Sequence, residues 1–284
     1  MKKIILLPII FLLLHFSKFS AHAHDIEYTV INGRAIVTGF TGEPETLDIP
    51  SELDGAPVKE IRDNAFYKCT FLKQITLPET LDKMGHHCFF ECTSLEKIII
   101  PDNVAEIGMG CFDGCSSLNE IILPDELTVL PESCFRDCTS LENVILPQEI
   151  TDIQKFCFAG CSSLSGISLS GKLCSIGDLA FFGCSSAGSQ YIPDSVINIG
   201  VHSLGYNEYG KISGFSITGN TGSAAEKYAA ENDFPFSAIP ETADVFAASD
   251  NSNAPVQLPE IFLFAGLFFL IMSVISSFRC SRKS

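Results

Sequence analysis

Tryptophan is absent from this sequence, and histidine is scarce, with 6 residues among 284. Three of the histidines lie near the amino-terminal end, so only His86, His87 and His202 remain in the rest of the chain. The motifs Gly-x-Ser-x-Gly and His-Glu-x-x-His and the glycine-rich phosphate loop are also missing. These absences argue against the common hydrolase, zinc-peptidase and nucleotide-hydrolysing activities. We therefore predict a protein that is not an enzyme and that has no catalytic residues, no cofactor and no metal.

Positive charge is also scarce, because 18 lysines and arginines stand against 34 aspartates and glutamates. The segment from His24 to Leu258 holds 12 of the basic residues and 33 of the acidic ones, which gives it a formal charge of −21. A surface of this sign repels nucleic acid and anionic lipid. The composition therefore predicts no nucleic-acid partner.

The amino-terminal end has the pattern of a secretory signal peptide. A short basic stretch precedes an apolar run of eleven residues, Ile4 to Leu14, and small residues return at Ala21 and Ala23. A run of this length is too short to cross roughly 30 Å of hydrocarbon, which disfavours an uncleaved membrane span. We predict a signal peptide over residues 1–23, cleaved after Ala23.

The carboxyl-terminal end carries a longer apolar run. Ile261 to Phe278 contains eighteen residues without a charge, and three basic residues follow it directly. This length is enough to span a bilayer, and positive charge marks the cytoplasmic flank of such a span. We predict a single-pass protein at the cell surface, with a transmembrane helix over residues 259–278, its main body outside and a short tail in the cytoplasm.

The strongest feature of the sequence is a repeat of 23 residues. Residues of one type recur at this spacing in several columns, and the phenylalanine and cysteine columns are six residues deep. The columns are Phe66, Phe89, Phe112, Phe135, Phe158 and Phe181; Cys69, Cys92, Cys115, Cys138, Cys161 and Cys184; Leu72, Leu95, Leu118, Leu141 and Leu164; and Pro78, Pro101, Pro124 and Pro147. A unit that cannot bury its apolar face alone gains a continuous core by stacking on its neighbours. The period therefore predicts a solenoid of about six to seven rungs.

Each repeat contains a strand, a proline and a short turn. In the clearest copy, Ile98 and Ile100 alternate inward, and Pro101 ends the strand because it cannot donate to a ladder. The segment from Cys88 to Cys92 suits one helical turn, since residues four apart share a face. The fold class predicted is a right-handed repeat solenoid with a parallel β-sheet on one face and short helical or turn segments opposite.

These motifs resemble one known family. The stretch from Asn64 to Cys69 and the repeated Cys-Phe-x-x-Cys-(Thr/Ser)-Ser-Leu units are similar to BspA-like leucine-rich repeats, and the similarity extends over residues 26–239. The resemblance implies a leucine-rich-repeat fold in a surface protein of bacteria or some protists, which adheres to host or neighbouring-cell molecules. It does not identify the molecule that is bound.

Segments of different composition flank the repeats. Asn32-Gly33 between apolar alternations predicts a hairpin that covers the first rung, and Ser223 followed by Glu226 is a capping box for a short helix at the other end. Beyond Pro240 the chain is polar and acidic, which is typical of a linker. The predicted organisation is a signal peptide over 1–23, an entry segment over 24–61, the leucine-rich-repeat solenoid over 62–214, a carboxyl-terminal cap over 215–239, a linker over 240–258, the transmembrane helix over 259–278 and a basic tail over 279–284.

The 12 cysteines allow three interpretations. Export favours disulfides, but residues four apart on a helical turn have Cβ atoms about 5–6 Å apart, whereas a disulfide needs about 3.5–4.5 Å. Bridges between adjacent rungs come closer to that geometry, although a complete ladder of them would be strained. A metal site is suggested by His86, His87, Cys88 and Cys92. The favoured interpretation is a small core residue that recurs because its slot recurs.

One outward-facing position in each strand predicts a binding surface. From rung to rung it is occupied by Thr76, Ile99, Ile122, Ile145, Ser168 and Tyr191, and the flanking residues are Lys97, Glu120 and Asn143. Contiguous exposed apolar residues usually mark an interaction site, although β-branched residues also favour strands in general. We hypothesise that Ile99, Ile122, Ile145 and Tyr191, with Lys97, Glu120 and Asn143, bind a partner, and we favour a protein over other macromolecules.

Together these features predict a non-enzymatic protein of the cell surface that mediates adhesion or protein recognition. Its partner would be a macromolecule on a host or neighbouring cell, and the carboxyl-terminal segment would attach it to the membrane. A structural component of the envelope without a specific ligand is the alternative. The sequence does not determine the oligomeric state.

Overall fold

The computed structural model describes residues 20–21 and 26–239. Most of the predicted signal peptide, the linker over 240–258, the transmembrane helix over 259–278 and the tail over 279–284 lie outside the described residues.

Short parallel strands stack on one face of the molecule, one strand in each turn of the chain. Where strands of neighbouring repeats pair, the partners are 23 residues apart, as Ile122 and Ile99 are, and the row is divided into three sheets. These strands are β4 (Thr46–Asp48), β7 (Gln74–Thr76), β9 (Lys97–Ile99), β11 (Glu120–Ile122), β13 (Asn143–Ile145), β15 (Gly166–Ser168), β17 (Ser189–Tyr191), β21 (Ser216–Gly219) and β22 (Phe236–Ala238). They define about nine turns, so the prediction of six to seven rungs is too low. The flanking segments supply the additional turns without repeating the residue columns.

A second row of parallel strands follows the first around each turn. Its members are β6 (Ala56–Ile61), β8 (Lys83–Met84), β10 (Glu106–Ile107), β12 (Val129–Leu130), β14 (Asp152–Ile153), β16 (Ser175–Ile176) and β18 (Asn198–Ile199). The residue that ends each strand from β8 to β16 is buried. The two rows therefore enclose one core that runs the length of the solenoid.

The amino-terminal end of the solenoid is formed by a hairpin. Strands β2 (Ile26–Ile31) and β3 (Arg34–Phe40) pair in antiparallel fashion, and Asn32 and Gly33 turn the chain with positive φ. Strand β3 pairs in parallel with β6, which a short strand β5 (Glu52–Leu53) also joins. Residues 20–21 form β1 (Ser20–Ala21) beside β4.

The carboxyl-terminal end is covered by a two-stranded ribbon and one helix. The ribbon consists of β19 (Tyr206–Asn207) and β20 (Gly210–Lys211), and the helix is α1 (Ala224–Glu231). Ser223 caps α1 by accepting from the backbone N–H of Glu226. The Tyr228 hydroxyl accepts from the backbone N–H of Leu204 at 3.1 Å and donates to its carbonyl at 3.0 Å. The helix thereby satisfies backbone groups at the last turn of the repeats.

The predicted fold class needs one correction, which concerns the transmembrane helix. Across the residues that the structure describes, no helix is long and apolar enough to cross a bilayer, and α1 has 8 residues. Residues 259–278, on which that prediction fell, lie outside this part. The described fold is a repeat solenoid.

A stack of phenylalanine rings runs along the core. Six rings, one per turn, lie nearly parallel, with centroids 5.1 to 5.5 Å apart from Phe66 to Phe181. Ring pairs of this kind contribute about 0.5–1.5 kcal/mol each beyond the burial of their area. The rings stack from one turn to the next. Substitution of one of the inner phenylalanines therefore alters its ring contacts with the turn before and the turn after it.

The segment between the two strand rows is held by main-chain bonds between turns. The N–H groups of Asn64, Phe66 and Lys68 donate to the carbonyls of residues 86, 88 and 90 in the next turn, at 2.7 to 2.9 Å. Two positions of this segment adopt the left-handed conformation in every repeat, with φ near +50 to +80°. The first position is held by Asn64, His87, Gly110, Ser133, Phe156, Leu179 and His202, and the second by Lys68, Glu91, Gly114, Asp137, Gly160 and Gly183.

Two glycines allow an unusually close approach of adjacent turns. A Cβ atom on Gly108 would lie 2.4 Å from the backbone carbonyl carbon of Gly85, one turn away. Gly177 and Gly200 repeat this arrangement near the end of the repeats, whereas Pro131 and Gln154 occupy the same column between the two glycine pairs. The turns beginning at Gly85 and Gly108 are therefore packed backbone to backbone.

The cysteines form two buried columns with different surroundings. In one of them, Cys92, Cys115, Cys138, Cys161 and Cys184 each donate a thiol hydrogen bond to a phenylalanine carbonyl 26 residues earlier, at 3.0 to 3.3 Å. We call this set the carbonyl-bonded column. The other set, Cys88, Cys111, Cys134 and Cys157, we call the second column, and all four side chains are inaccessible to solvent. All described cysteines are free thiols, in agreement with the core interpretation.

Burial makes these thiols much weaker acids than free cysteine. Loss of solvent raises the pKa of Cys184 to about 12 and raises the pKa of Cys111, Cys134, Cys138 and Cys161 well above the usual value. The unfolded chain would ionise its thiols near a pH of about 8.5. The folded protein thus keeps protons that the unfolded chain releases, and folding is favoured fully only below that pH.

We therefore expect the free energy of unfolding in reducing buffer to fall as the pH rises above about 8.5, by roughly 1.4 kcal/mol per pH unit for each such thiol. Urea unfolding between pH 7.5 and 9.5 measures this slope. Cys138→Ser should make the slope shallower, and Ser162→Ala, which changes no titratable group, should leave it unchanged. A slope that is the same in all three proteins would contradict the assignment.

The left-handed positions predict a reversal in the preference between glycine and alanine. Ser133 has φ of 55°, where a Cβ costs about 1–2 kcal/mol, so Ser133→Gly should be more stable than Ser133→Ala by about 1 kcal/mol. The exposed Ser162 lacks positive φ, so there alanine should exceed glycine by about 0.5–1 kcal/mol. Thermal unfolding of the four variants checks the sign, and alanine being favoured at both sites would refute the backbone assignment.

Candidate functional site

The described residues offer little for catalysis or metal binding. Within residues 20–21 and 26–239, no group of three or more histidine, cysteine, aspartate or glutamate side chains could hold a metal ion. The cluster suggested by His86, His87, Cys88 and Cys92 is separated by the fold: Cys88 and Cys92 lie in the core, while His86 is exposed and accepts from the backbone N–H of Met109. The metal interpretation therefore has no geometric support.

A groove of about 410 Å³ lies between α1 and the strands β16 and β18. Its charged lining residues are Asp178, Lys227 and Glu231. The Asp178 carboxylate accepts from the backbone N–H of Val201 at 2.7 Å, as Asp63 does from that of His86. Asp178 thus links two turns, and the groove brings together no nucleophile with a base.

The outward face of the first strand row carries the most continuous apolar surface. The middle residue of each repeat strand points into the core, and the residue after it points to solvent. Ile99 and Ile145 are each 52% exposed, and Ile122 between them is partly exposed. Ile99 and Ile122 pair in register on β9 and β11, and Ile145 lies on β13, the next strand of the row, which contacts β11 but belongs to a separate sheet. The three isoleucines therefore lie on three consecutive turns, and we call them the isoleucine stripe.

Tyr191, the fourth apolar residue predicted for this surface, is 48% exposed but does not continue the stripe. The intervening turn has Ser168 at the equivalent position, and this serine is exposed. On the other side Thr76 ends the stripe. The structure thus brings Ile99, Ile122 and Ile145 together and leaves Tyr191 two turns away.

The polar residues predicted for the surface lie beside the stripe. Lys97 and Glu120 occupy adjacent turns and form an ion pair with each other at 2.5 Å. Asn143 follows in the next turn and is exposed. Because Lys97 and Glu120 neutralise each other, the local charge comes from other residues.

Four acidic side chains flank the stripe along the chain, and none of them is among the residues predicted from sequence for this surface. Glu96 and Glu142 lie on the side where the strands begin, and Asp102 and Glu126 on the side where they end. Among the described residues, none of these four has an ion-pair partner, whereas ten of the basic side chains do pair with an acid. These four residues could have been identified as part of the surface from their position beside exposed isoleucines. The large number of acidic residues in the sequence does not single them out.

A pair of stacked aromatic rings at the surface was not predicted from sequence. The rings of Tyr67 and Phe90 stack at 5.0 Å in adjacent turns, and His87 meets Phe90 edge-on at 5.6 Å. Tyr67 is 46% exposed. The next turns carry Asp113 and Arg136 in this column, so the aromatic surface is confined to two turns.

Comparison with known proteins identifies the repeat. A family model described as the BspA-type leucine-rich repeat region matches in six copies, over residues 45–152 and 84–211. A search of characterised proteins finds no match. Among solved structures, the leucine-rich repeat protein of T. pallidum is 26% identical, with a TM-score of 0.63, over 77% of this chain and 98% of that one.

Two further solved structures have lower identity. A leucine-rich repeat protein from Eubacterium ventriosum is 23% identical, with a TM-score of 0.55, over 66% of this chain and 51% of that one. A leucine-rich cell surface protein from Faecalibacterium prausnitzii is 21% identical, with a TM-score of 0.39, over 69% of this chain and 77% of that one. The family model covers more than half of the chain, and its repeats coincide with the turns of the solenoid. The chain therefore belongs to the family of BspA-type leucine-rich repeat proteins.

Proposed function

We propose that this protein is a non-enzymatic recognition protein of the cell surface, and that the isoleucine stripe binds a protein partner. The observation that carries this proposal is the exposure of Ile99, Ile122 and Ile145 on three consecutive turns, on the outer face of the first strand row. Isolated exposed apolar residues are common on protein surfaces, whereas contiguous ones usually mark interaction sites. Membership in a family of repeat proteins supports a binding role, because stacked repeats present extended surfaces.

The chemistry around the stripe favours a partner with apolar and basic groups. Glu96, Glu142, Asp102 and Glu126 would face the rim of a partner seated on the isoleucines. Charge of this kind increases the association rate and selects against acidic partners, while the apolar centre contributes most of the affinity. The partner would be a macromolecule on a host or neighbouring cell.

The geometry of the strand row supports a site that is formed before binding. Each stripe residue is followed or preceded by a buried residue of the same strand, such as Ile98 or Val144, and the main chain of each turn bonds to its neighbours. Little conformational entropy is then lost when a partner docks on this face.

The proposal predicts that one charge in the stripe removes binding. Ile122→Asp places a carboxylate between Ile99 and Ile145, and we expect the affinity of the full chain for intact candidate cells to fall at least tenfold, about 1.4 kcal/mol. Fluorescently labelled protein titrated onto the cells measures the saturation curve. Circular dichroism and thermal melting establish that the variant is folded.

The matched control is Ile197→Asp, which makes the same change at an isoleucine that is 70% exposed and lies beside the second strand row. It should bind as the unchanged protein does. Equal binding by folded Ile122→Asp would disprove the stripe as the site. Binding that never saturates in any of the three proteins would favour the envelope component without a specific ligand.

A further inference from the structure

The Cys88 and Cys111 thiols approach each other far more closely than their place in a reduced core requires. Their Sγ atoms are 3.1 Å apart, on adjacent turns, and both side chains are completely buried. This separation is inside the van der Waals contact distance of two sulfur atoms. A disulfide bond is about 2.05 Å long, so a movement of about 1 Å would bring these two atoms to bonding distance.

The main chain around this pair is compatible with a disulfide. Adjacent turns of a parallel ladder lie about 4.8 Å apart, and the Cα atoms of disulfide-bonded residues lie about 4.4–6.8 Å apart. Gly108 stands three residues before Cys111, and a Cβ at this position would lie 2.4 Å from the backbone of Gly85 and His86 in the turn of Cys88. The other pair of stacked glycines, Gly177 and Gly200, precedes Ala180 and Ser203 rather than cysteines.

Hydrogen bonding distinguishes this pair from the carbonyl-bonded column. A disulfide within that column would remove thiol protons that satisfy buried carbonyls, such as the bond from Cys92 to the Phe66 carbonyl at 3.0 Å. A buried acceptor that is left without a donor destabilises the fold. The Cys88 and Cys111 thiols bond to each other, so joining them leaves no carbonyl without its donor.

We propose that Cys88 and Cys111 form a disulfide that joins two adjacent turns when the chain folds in the presence of a disulfide oxidant. The Cys88 thiolate attacks the oxidant disulfide, which gives a mixed disulfide and releases one oxidant thiol. The Cys111 thiolate then attacks Cys88 Sγ, forms the new bond and releases the second oxidant thiol. The two cysteines lose two protons and two electrons, and the oxidant takes up both electrons.

The disulfide would form during folding and not in the folded solenoid. Loss of solvent raises the pKa of Cys111 well above its usual value, and only the thiolate attacks a disulfide. Both sulfur atoms are inaccessible once the turns have closed. The bond would therefore form while the second and third repeats are closing, and it would then be protected from reductants.

Such a bond would also affect the isoleucine stripe, although the disulfide proposal does not depend on the proposed function. The turn of Cys88 leads into β9 and Ile99, and the turn of Cys111 leads into β11 and Ile122. A covalent link between these turns would fix the spacing of two stripe residues.

Peptide mapping of the full chain tests the proposal without any substitution. The reduced, unfolded chain is refolded in a buffer of oxidised and reduced glutathione, and the remaining thiols are blocked with N-ethylmaleimide in denaturant. Proteases that cleave after lysine and after acidic residues then place each of the two cysteines on a peptide of its own. The cleavage sites that achieve this are Lys83, Glu91, Glu106 and Asp113.

We expect peptides 84–91 and 107–113 to be recovered as one linked species that separates on reduction. The double variant Cys134→Ser and Cys157→Ser, which changes the same column in the two following turns, should give the same linked species. The idea is overturned if both peptides carry N-ethylmaleimide after refolding. It is equally overturned if Cys111 is linked to Cys134, or Cys69 to Cys92, as often as Cys88 is to Cys111.

Discussion

The hydrogen bonding between successive turns is the constraint on which the rest of this structure depends. Main-chain groups of one turn bond to the next along much of both strand rows, and the segment between the rows also links turns where the sheets are interrupted, as the bond from the Phe112 N–H to the Cys134 carbonyl does. Residues 23 apart are therefore held at the same place on neighbouring turns. A ring, a thiol or a charge that recurs every 23 residues in the sequence therefore forms a column. The core, the ion pairs and the exposed stripe are all columns of this kind.

The repeat makes much of this architecture predictable. Identical residues at constant spacing, such as Phe89 and Phe112, have to stack if their turns stack, and the alternation in Lys97 to Ile99 indicates which side faces the core. The number of turns predicted from the repeat is too low because strands such as Thr46–Asp48 and Phe236–Ala238 lack the repeated side chains. Their turns are recognisable only from main-chain pairing, which the sequence does not display.

One local feature cannot be inferred fully from sequence, for a physical reason. The left-handed positions hold residues as different as His87, Phe156 and Leu179, so side-chain type alone does not identify them; the cross-turn hydrogen bonds accompany the conformation in each turn. The exposed stripe, in contrast, follows the strand position that alternation indicates. Its interruption before Tyr191 follows from Ser168, which the sequence already shows at this position.

The equivalence of the turns also has a consequence for how such a chain changes over generations. Each turn contacts mainly the turn before and the turn after it, and the paired strands meet in the same register along the repeats. Duplication or loss of one whole 23-residue segment therefore leaves every remaining column aligned, whereas an insertion of any other length shifts the columns out of register. Unequal recombination within the gene can accordingly lengthen or shorten the exposed strand face in whole turns while the fold is retained.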